Sequence, residues 1–424
     1  MGQPRISRLQ PIRPIRRAPF AILFLLLPLL AACGGNGKQT GQVHWIEGNS
    51  PATVQMTAAP SENPTITPAS DAPVEPTATT EAAPTHPAGP SGDTVRLSAA
   101  ELETYKPNEI GLIPFLEYHV FTKIPANEAA FVRPIEKFKK DLQWLYDNNF
   151  HVVSVRDIIE NTIAAPAGKH PVALTFDDST VGQFRYLIAA DGSAAIDPDS
   201  AVGVMEDFYG KHPDFGRGGY FAVIASNSTC FNWQGVNAEN DQTAYCHQKI
   251  KWLLDNGYEV GNHTETHDNM KDMTDNKFLR EIGEPFEWLN AIDPRNDADI
   301  FTVPFGVYPD KNLHHQQRVW MTDGFTYNGK DYKFIGVMNV GSEPTFAADR
   351  TEWDPLFIHR VQVDDGTTYG LSGYWFPPME GDPSWLYTSD GNPNTITVPN
   401  AIPSQDGDLN AAKIATEGKE LIRY

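Results

Sequence analysis

The chain has little cysteine, little positive charge and no long apolar run. Three cysteines in 424 residues exclude a disulfide-stapled mini-scaffold, and without a Cys-x-x-Cys spacing they exclude a thiolate metal site. Lys and Arg number 33 against 54 Asp and Glu, a formal charge of −21. Residues 1–32 hold five of the arginines (Arg5, Arg8, Arg13, Arg16, Arg17) and no acid or lysine, so the remainder is more acidic still. Phosphate binding needs clustered positive charge, so nucleic acid and other polyanions are excluded as partners, whereas a neutral substrate is not. The apolar run Phe20–Ala32 is too short to span a bilayer comfortably. From Pro51 to Gly92 large apolar residues are nearly missing, and a stretch of Pro, Thr, Ala, Ser and Glu cannot offset its own ordering entropy. The rest is rich in core material: 22 Phe, 15 Tyr and 9 Trp suffice for one large domain or two ordinary ones.

The N-terminus reads as a targeting segment, a basic stretch followed by "FAILFLLLPLLAAC". "LLAAC" resembles a bacterial lipobox, which implies cleavage before Cys33 and a lipid on its thiol. An ordinary signal peptide or an uncleaved anchor is the alternative. The expected organisation is a lipoprotein signal peptide over 1–32, a disordered tether over 33–93, and a folded domain over 94–424 with an irregular extension from about 366. Such a protein is exported and lipid-anchored to the outer face of the cell membrane or another envelope membrane. In that compartment Cys230 and Cys246 either form a disulfide or remain two buried thiols.

Strands alternate with helices from about Val95 onward. "IGLIPFLEYHVF" (110–121) reads as a strand, and "PIEKFKKDLQWLYDNNF" as a helix with Pro134 in its first turn. Ser154 is placed to cap "VRDIIENTI". "AVGVMEDFYGKH", "QKIKWLLDNG" and "DNKFLREIGEPFEWLNAI" read as helices, with Gly257 closing the second. "HPVALTF", "GGYFAVIA", "YEVGNH", "DIFTVPFG", "KFIGVMNV" and "LFIHRVQV" read as strands. This alternation predicts an α/β fold with a parallel sheet, closer to a barrel than to an open sheet. In such barrels functional residues sit at the C-terminal ends of strands.

Two carboxylates, Asp177 and Asp178, end one strand of "PVALTFDDST". "GNHTETHDNM" ends a later one and supplies His263 and His267, four apart, so that one helical turn could set both imidazoles on one side. Either piece alone has a bland reading, a strand-end cap or two surface histidines. Together they open onto the same face of one α/β array. One aspartate can then complete a His–His–Asp metal site, and its neighbour can act as a base toward water there.

"TFDDS" followed by "HTETH" resembles the first two motifs of the polysaccharide deacetylases (carbohydrate esterase family 4, the NodB-homology domain). The likeness covers about residues 110–365. It implies a distorted (β/α) barrel with Asp177 as catalytic base and Asp178, His263 and His267 as ligands of a divalent metal, usually Zn2+. The implied reaction is hydrolysis of an acetyl group, most often an N-acetyl on an N-acetylglucosamine-containing glycan. "FTVPFG" resembles the third motif, where the backbone N–H of Phe305 would face the oxyanion. That motif's arginine is replaced by Thr302, and Arg360 in "LFIHRVQV" is a candidate substitute partner for the base. His359, beside it, is the positional match for the general acid. His119 in "EYHVF" ends the first strand, as a core histidine or a site residue. Tyr374, Trp375 and Phe376 in "GYWFPP" are candidates for stacking on sugar rings or for core packing. Two other readings stand beside the deacetylase: an O-acetyl xylan esterase of the same chemistry, and a glycan-binding lipoprotein that lost catalysis.

Overall fold

The computed structural model describes residues 96–124, 131–233, 241–341, 343–363, 375–400 and 409–424. The expected leader, lipidation site and tether therefore lie outside the described residues, and so does Tyr374.

Seven strands carry the architecture: β1 (Phe115–Tyr118), β2 (His170–Phe176), β3 (Tyr220–Val223), β4 (Glu259–Asn262), β5 (Ile300–Thr302), β6 (Gly336–Met338) and β7 (Val361–Gln362). They lie in the order β6-β5-β4-β3-β2-β1-β7, and every pairing is parallel. A further short strand, Phe150–Val152, pairs with the start of β2. The segment entering β7 joins the two edges. The Ile358 N–H donates to the Val337 carbonyl of β6 at 2.8 Å, and Asn339 N–H donates back to Ile358 at 2.9 Å. Three residues later Val361 and then Gln362 pair with Leu116 and Glu117 of β1. The sheet thus curls into the distorted barrel that the alternating pattern predicts.

Helices cover the outside because each presents one apolar stripe. In α1 (Ile135–Asp147) Ile135, Phe138, Leu142 and Leu145 are buried. Ser154 accepts the Asp157 N–H, as its capping role requires. Ser200 likewise caps α2 (Ala201–Lys211). α3 (Cys246–Asp255) is followed by Gly257 at φ +78°, a conformation that favours glycine. α4 (Asp275–Ile292) matches its predicted bounds. β2 is buried at all seven positions, as expected of a strand with layers on both sides.

The expected first strand is broken into three, Leu112–Ile113, Phe115–Tyr118 and Val120–Thr122. Pro114 interrupts it once, since it lacks the ladder donor. The second break falls at His119. The segment after the acid pair forms a hairpin, Tyr186–Ile188 with Ala194–Ile196. In the C-terminal extension, Thr395–Val398 pairs in parallel with Glu420–Arg423. Its Ile396, Val398 and Ile414 pack on Ile110 ahead of the barrel. Cys230 and Cys246 are joined in a disulfide that ties the loop after β3 to the start of α3. Among the described residues no helix is long and apolar enough to cross a membrane.

Candidate functional site

The C-terminal ends of β1, β2, β4 and β5 surround a cavity of about 450 Å³. His119, Asp177, Asp178, His263, His267 and Phe305 line it. Its remaining walls are apolar: Val120, Phe131, Val132, Val303 and Val340.

β2 delivers the acid pair, and the chain then turns sharply. Asp178 has φ +73° and Ser179 φ +47°. The turn sends the two carboxylates apart. Asp178 Oδ1 lies 3.2 Å from His263 Nε2 and 3.1 Å from His267 Nε2. His263 Nδ1 faces the Thr302 carbonyl at 2.9 Å. A carbonyl can only accept, so Nδ1 must be the donor, and a neutral His263 presents the Nε2 lone pair to Asp178. A carboxylate oxygen and two imidazole nitrogens then converge, and only a proton or a cation can sit among them. One carboxylate and two imidazoles suit a zinc-like ion with open positions, and the second hydrogen bond on His263 fixes its ring as ligand histidines require. The residues present therefore fit a divalent metal. Burial pushes the Asp178 carboxyl up, but hydrogen bonds from His263 and His267 Nε2, when those nitrogens carry protons in place of a cation, more than offset this and hold it well below the usual range.

The two histidines are not brought together by a helical turn, as the spacing suggested. Residues 263–268 form an irregular loop. Thr264 at φ +65° and His267 at φ +58° fold it back, and Thr264 Oγ1 accepts the His267 N–H at 2.9 Å.

Asp177 points the other way. Arg360 Nη1 and Nη2 donate to its two oxygens at 2.8 and 2.6 Å, a bidentate pair inside the barrel. Arg360 Nε also donates to the Asn339 carbonyl at 2.6 Å. Burial raises the Asp177 pKa, but the Arg360 guanidinium outweighs it and leaves the carboxyl below its ordinary value. Glu117 of β1 is a third buried carboxylate. Its Oε2 accepts the Gly341 N–H at 2.6 Å and lies 3.5 Å from Arg360. Burial keeps its pKa raised despite that neighbour. His119 Nε2 sits between the two acids, 3.6 Å from Glu117 Oε1 and 3.7 Å from Asp177 Oδ2.

The structure therefore brings Asp177, Asp178, His263, His267, Phe305 and Arg360 into one neighbourhood. His359 is the exception. It does not line the cavity, and its Nδ1 lies 3.5 Å from Glu343 Oε1. Arg360 points into the barrel, and successive side chains on an extended strand point to opposite faces, so its neighbour is turned away. Trp375 is also elsewhere, its ring centroid 6.3 Å from that of Trp385. Glu117 and Phe131 were not singled out by the sequence. The signal for Glu117 was present, because it shares a strand end with His119. Phe131 had none. It packs its ring 4.7 Å from His119, while Phe305, at φ +57°, packs 4.5 Å from His267.

Residues 225–322 match the family model described as polysaccharide deacetylase. No curated protein matches the chain. Solved structures with a similar course include the Streptococcus pyogenes deacetylase PplD in complex with acetate, 17% identical, covering 60% of this chain and 93% of that one at a TM-score of 0.42. A polysaccharide deacetylase of Bacillus cereus is 16% identical, with 61% and 67% covered and a TM-score of 0.42. IcaB from Ammonifex degensii is 17% identical, with 60% and 93% covered and a TM-score of 0.40. The family match spans the segment that supplies His263, His267 and Phe305.

Proposed function

We propose that this protein hydrolyses acetyl groups on a polysaccharide with the help of a divalent metal, most simply Zn2+, held by Asp178, His263 and His267. The observation that carries the reading is the pairing of that donor set with a separate, Arg360-bound Asp177 in one cavity. A binding protein would have no use for the second half of the arrangement. A bound divalent ion supplies Lewis acidity toward the acetyl oxygen and makes a nearby water easier to deprotonate.

The chain's own groups account for the remaining steps. Asp177, fixed by the Arg360 fork, takes a proton from the attacking water. Its low pKa makes it a weak base, which suffices for water already acidified. The backbone N–H of Phe305 is the candidate donor to the developing oxyanion. The C–N bond then breaks, and the leaving nitrogen needs a proton. His119 takes this role in place of His359, because it lines the cavity and stands 3.7 Å from Asp177. Asp177 can then return its proton to His119. The products are acetate and a free amine.

A positioned acid matters for an amide, whose amine leaves poorly unprotonated, and less for an ester. His119 thus favours an N-acetylated glycan over acetyl xylan as substrate. The leader and lipobox-like Cys33 support an exported, membrane-anchored location. The test is acetate release from N-acetylglucosamine oligomers and from acetylated xylan, with and without a chelator. Chelator-sensitive release from the oligomers is expected. Release from xylan alone would replace the amide reading with the esterase.

A further inference from the structure

α4 contains a proline, Pro285, and that residue is buried. A proline has no N–H, so the carbonyl four residues earlier loses its helical donor, and the ring pushes that carbonyl aside. The carbonyl belongs to Glu281. It is not left unsatisfied, because it accepts the N–H of Glu265 at 3.1 Å, in the loop that carries His263 and His267. The next carbonyl, that of Ile282, accepts Asn262 Nδ2 at 2.9 Å. Asn262 Oδ1 in turn accepts the Thr264 N–H at 3.0 Å.

The side chain of Glu281 adds to this. It is buried, its Oε2 accepts the Thr266 N–H at 2.9 Å, and its Oε1 accepts the Thr266 hydroxyl. One turn of α4 thus holds Asn262, Glu265 and Thr266. The loop needs holding, because Thr264 and His267 both have positive φ, a conformation that side-chain-bearing residues avoid. Released, they would relax, and His267 Nε2 would leave its place 3.1 Å from Asp178.

We propose that Glu281 and Pro285 are positioning residues that preset the His263–His267 loop for a divalent cation. Neither touches the cation or the substrate. The proline weakens its own helix relative to alanine, and the freed carbonyl is spent on the ligand loop. The inference rests on the metal reading above.

The test uses the full chain with Pro285→Ala and, separately, Glu281→Gln. Zn2+ affinity is measured by competition with a chelator, and amide hydrogen exchange is measured on the metal-free protein. Pro285→Ala restores the missing N–H, which competes with Glu265 for the Glu281 carbonyl. It should melt no lower than the wild type yet bind Zn2+ about tenfold more weakly, the usual scale for a lost outer partner of a ligand. Exchange at Glu265 should speed up. Glu281→Gln should weaken Zn2+ binding on the same scale and speed exchange at Thr266. Zn2+ affinity within about twofold of wild type in both variants would overturn the proposal, and so would unchanged exchange at Glu265 and Thr266. A wild type that binds no divalent ion would overturn the metal reading itself, a result separable from these because exchange still reports whether α4 holds the loop.

Discussion

Arg360 is fully buried between Asp177 and Glu117. Removing one member of such a cluster leaves uncompensated charge inside the protein and costs about 3–5 kcal/mol. Arg360→Met should therefore lower the denaturant midpoint sharply. Arg360→Lys keeps the charge but loses the fork, so it should unfold closer to wild type while kcat falls. Denaturant titration and steady-state kinetics on the pair separate the two roles. His119 allows a different comparison. If it protonates the leaving nitrogen, His119→Gln should cost about 10²–10⁴-fold in kcat on an N-acetyl substrate. An activated aryl acetate, whose leaving group needs no proton, should lose far less. Equal losses on both would remove His119 from that role. Lys249 bears on stability instead. Its amine is buried with no hydrogen-bond partner among the described residues, near the rings of Phe184, Tyr186 and Phe231, and burial lowers its pKa to about 7. The unfolded chain then binds more protons than the folded one between about pH 7 and 10.5. Stability should rise with pH across that window, each unit of difference being worth about 1.4 kcal/mol. Lys249→Met should stabilise the protein at pH 7 and flatten that rise in a pH series of thermal melts.

At the level of elements, legibility followed periodicity. α4 and the end of β2 were readable because an amphipathic stripe and an apolar run ending in acids leave little choice. The face of β7 was not. "LFIHRVQV" is apolar on both sides of its polar pair, and a shift of one residue exchanges His359 with Arg360. Only the pairing of Ile358 with Val337 and of Val361 with Leu116 decides which one points inward. The turns at Asp178, Thr264, His267 and Phe305 were hidden for another reason. Each is a non-glycine residue at positive φ, and nothing local marks such a site before tertiary contacts impose it. The clamp from α4 was hidden too, since Pro285 reads as a helix breaker and not as a donor of a free carbonyl. The Cys230–Cys246 disulfide is an element-scale tie closing a loop of 16 residues in sequence separation. Replacing both cysteines with alanine should cost about 3 kcal/mol, measured by urea unfolding, with the site otherwise intact.

Over the whole molecule, a formal charge of −21 and a cavity with largely apolar walls suit a neutral glycan better than an anionic one. The parallel barrel gathers the strand ends into one mouth, so residues spread from 119 to 340 in the chain line a single cavity. The account stands on a division of labour between the two adjacent aspartates, one holding a cation and the other moving a proton. The direct test measures acetate release from N-acetylglucosamine oligomers and bound zinc together, in the wild type and in Asp177→Asn. The account predicts acetate from the wild type, none above background from the variant, and equal zinc in both. Equal release from the two proteins, or no release from a folded, zinc-loaded wild type, would contradict it.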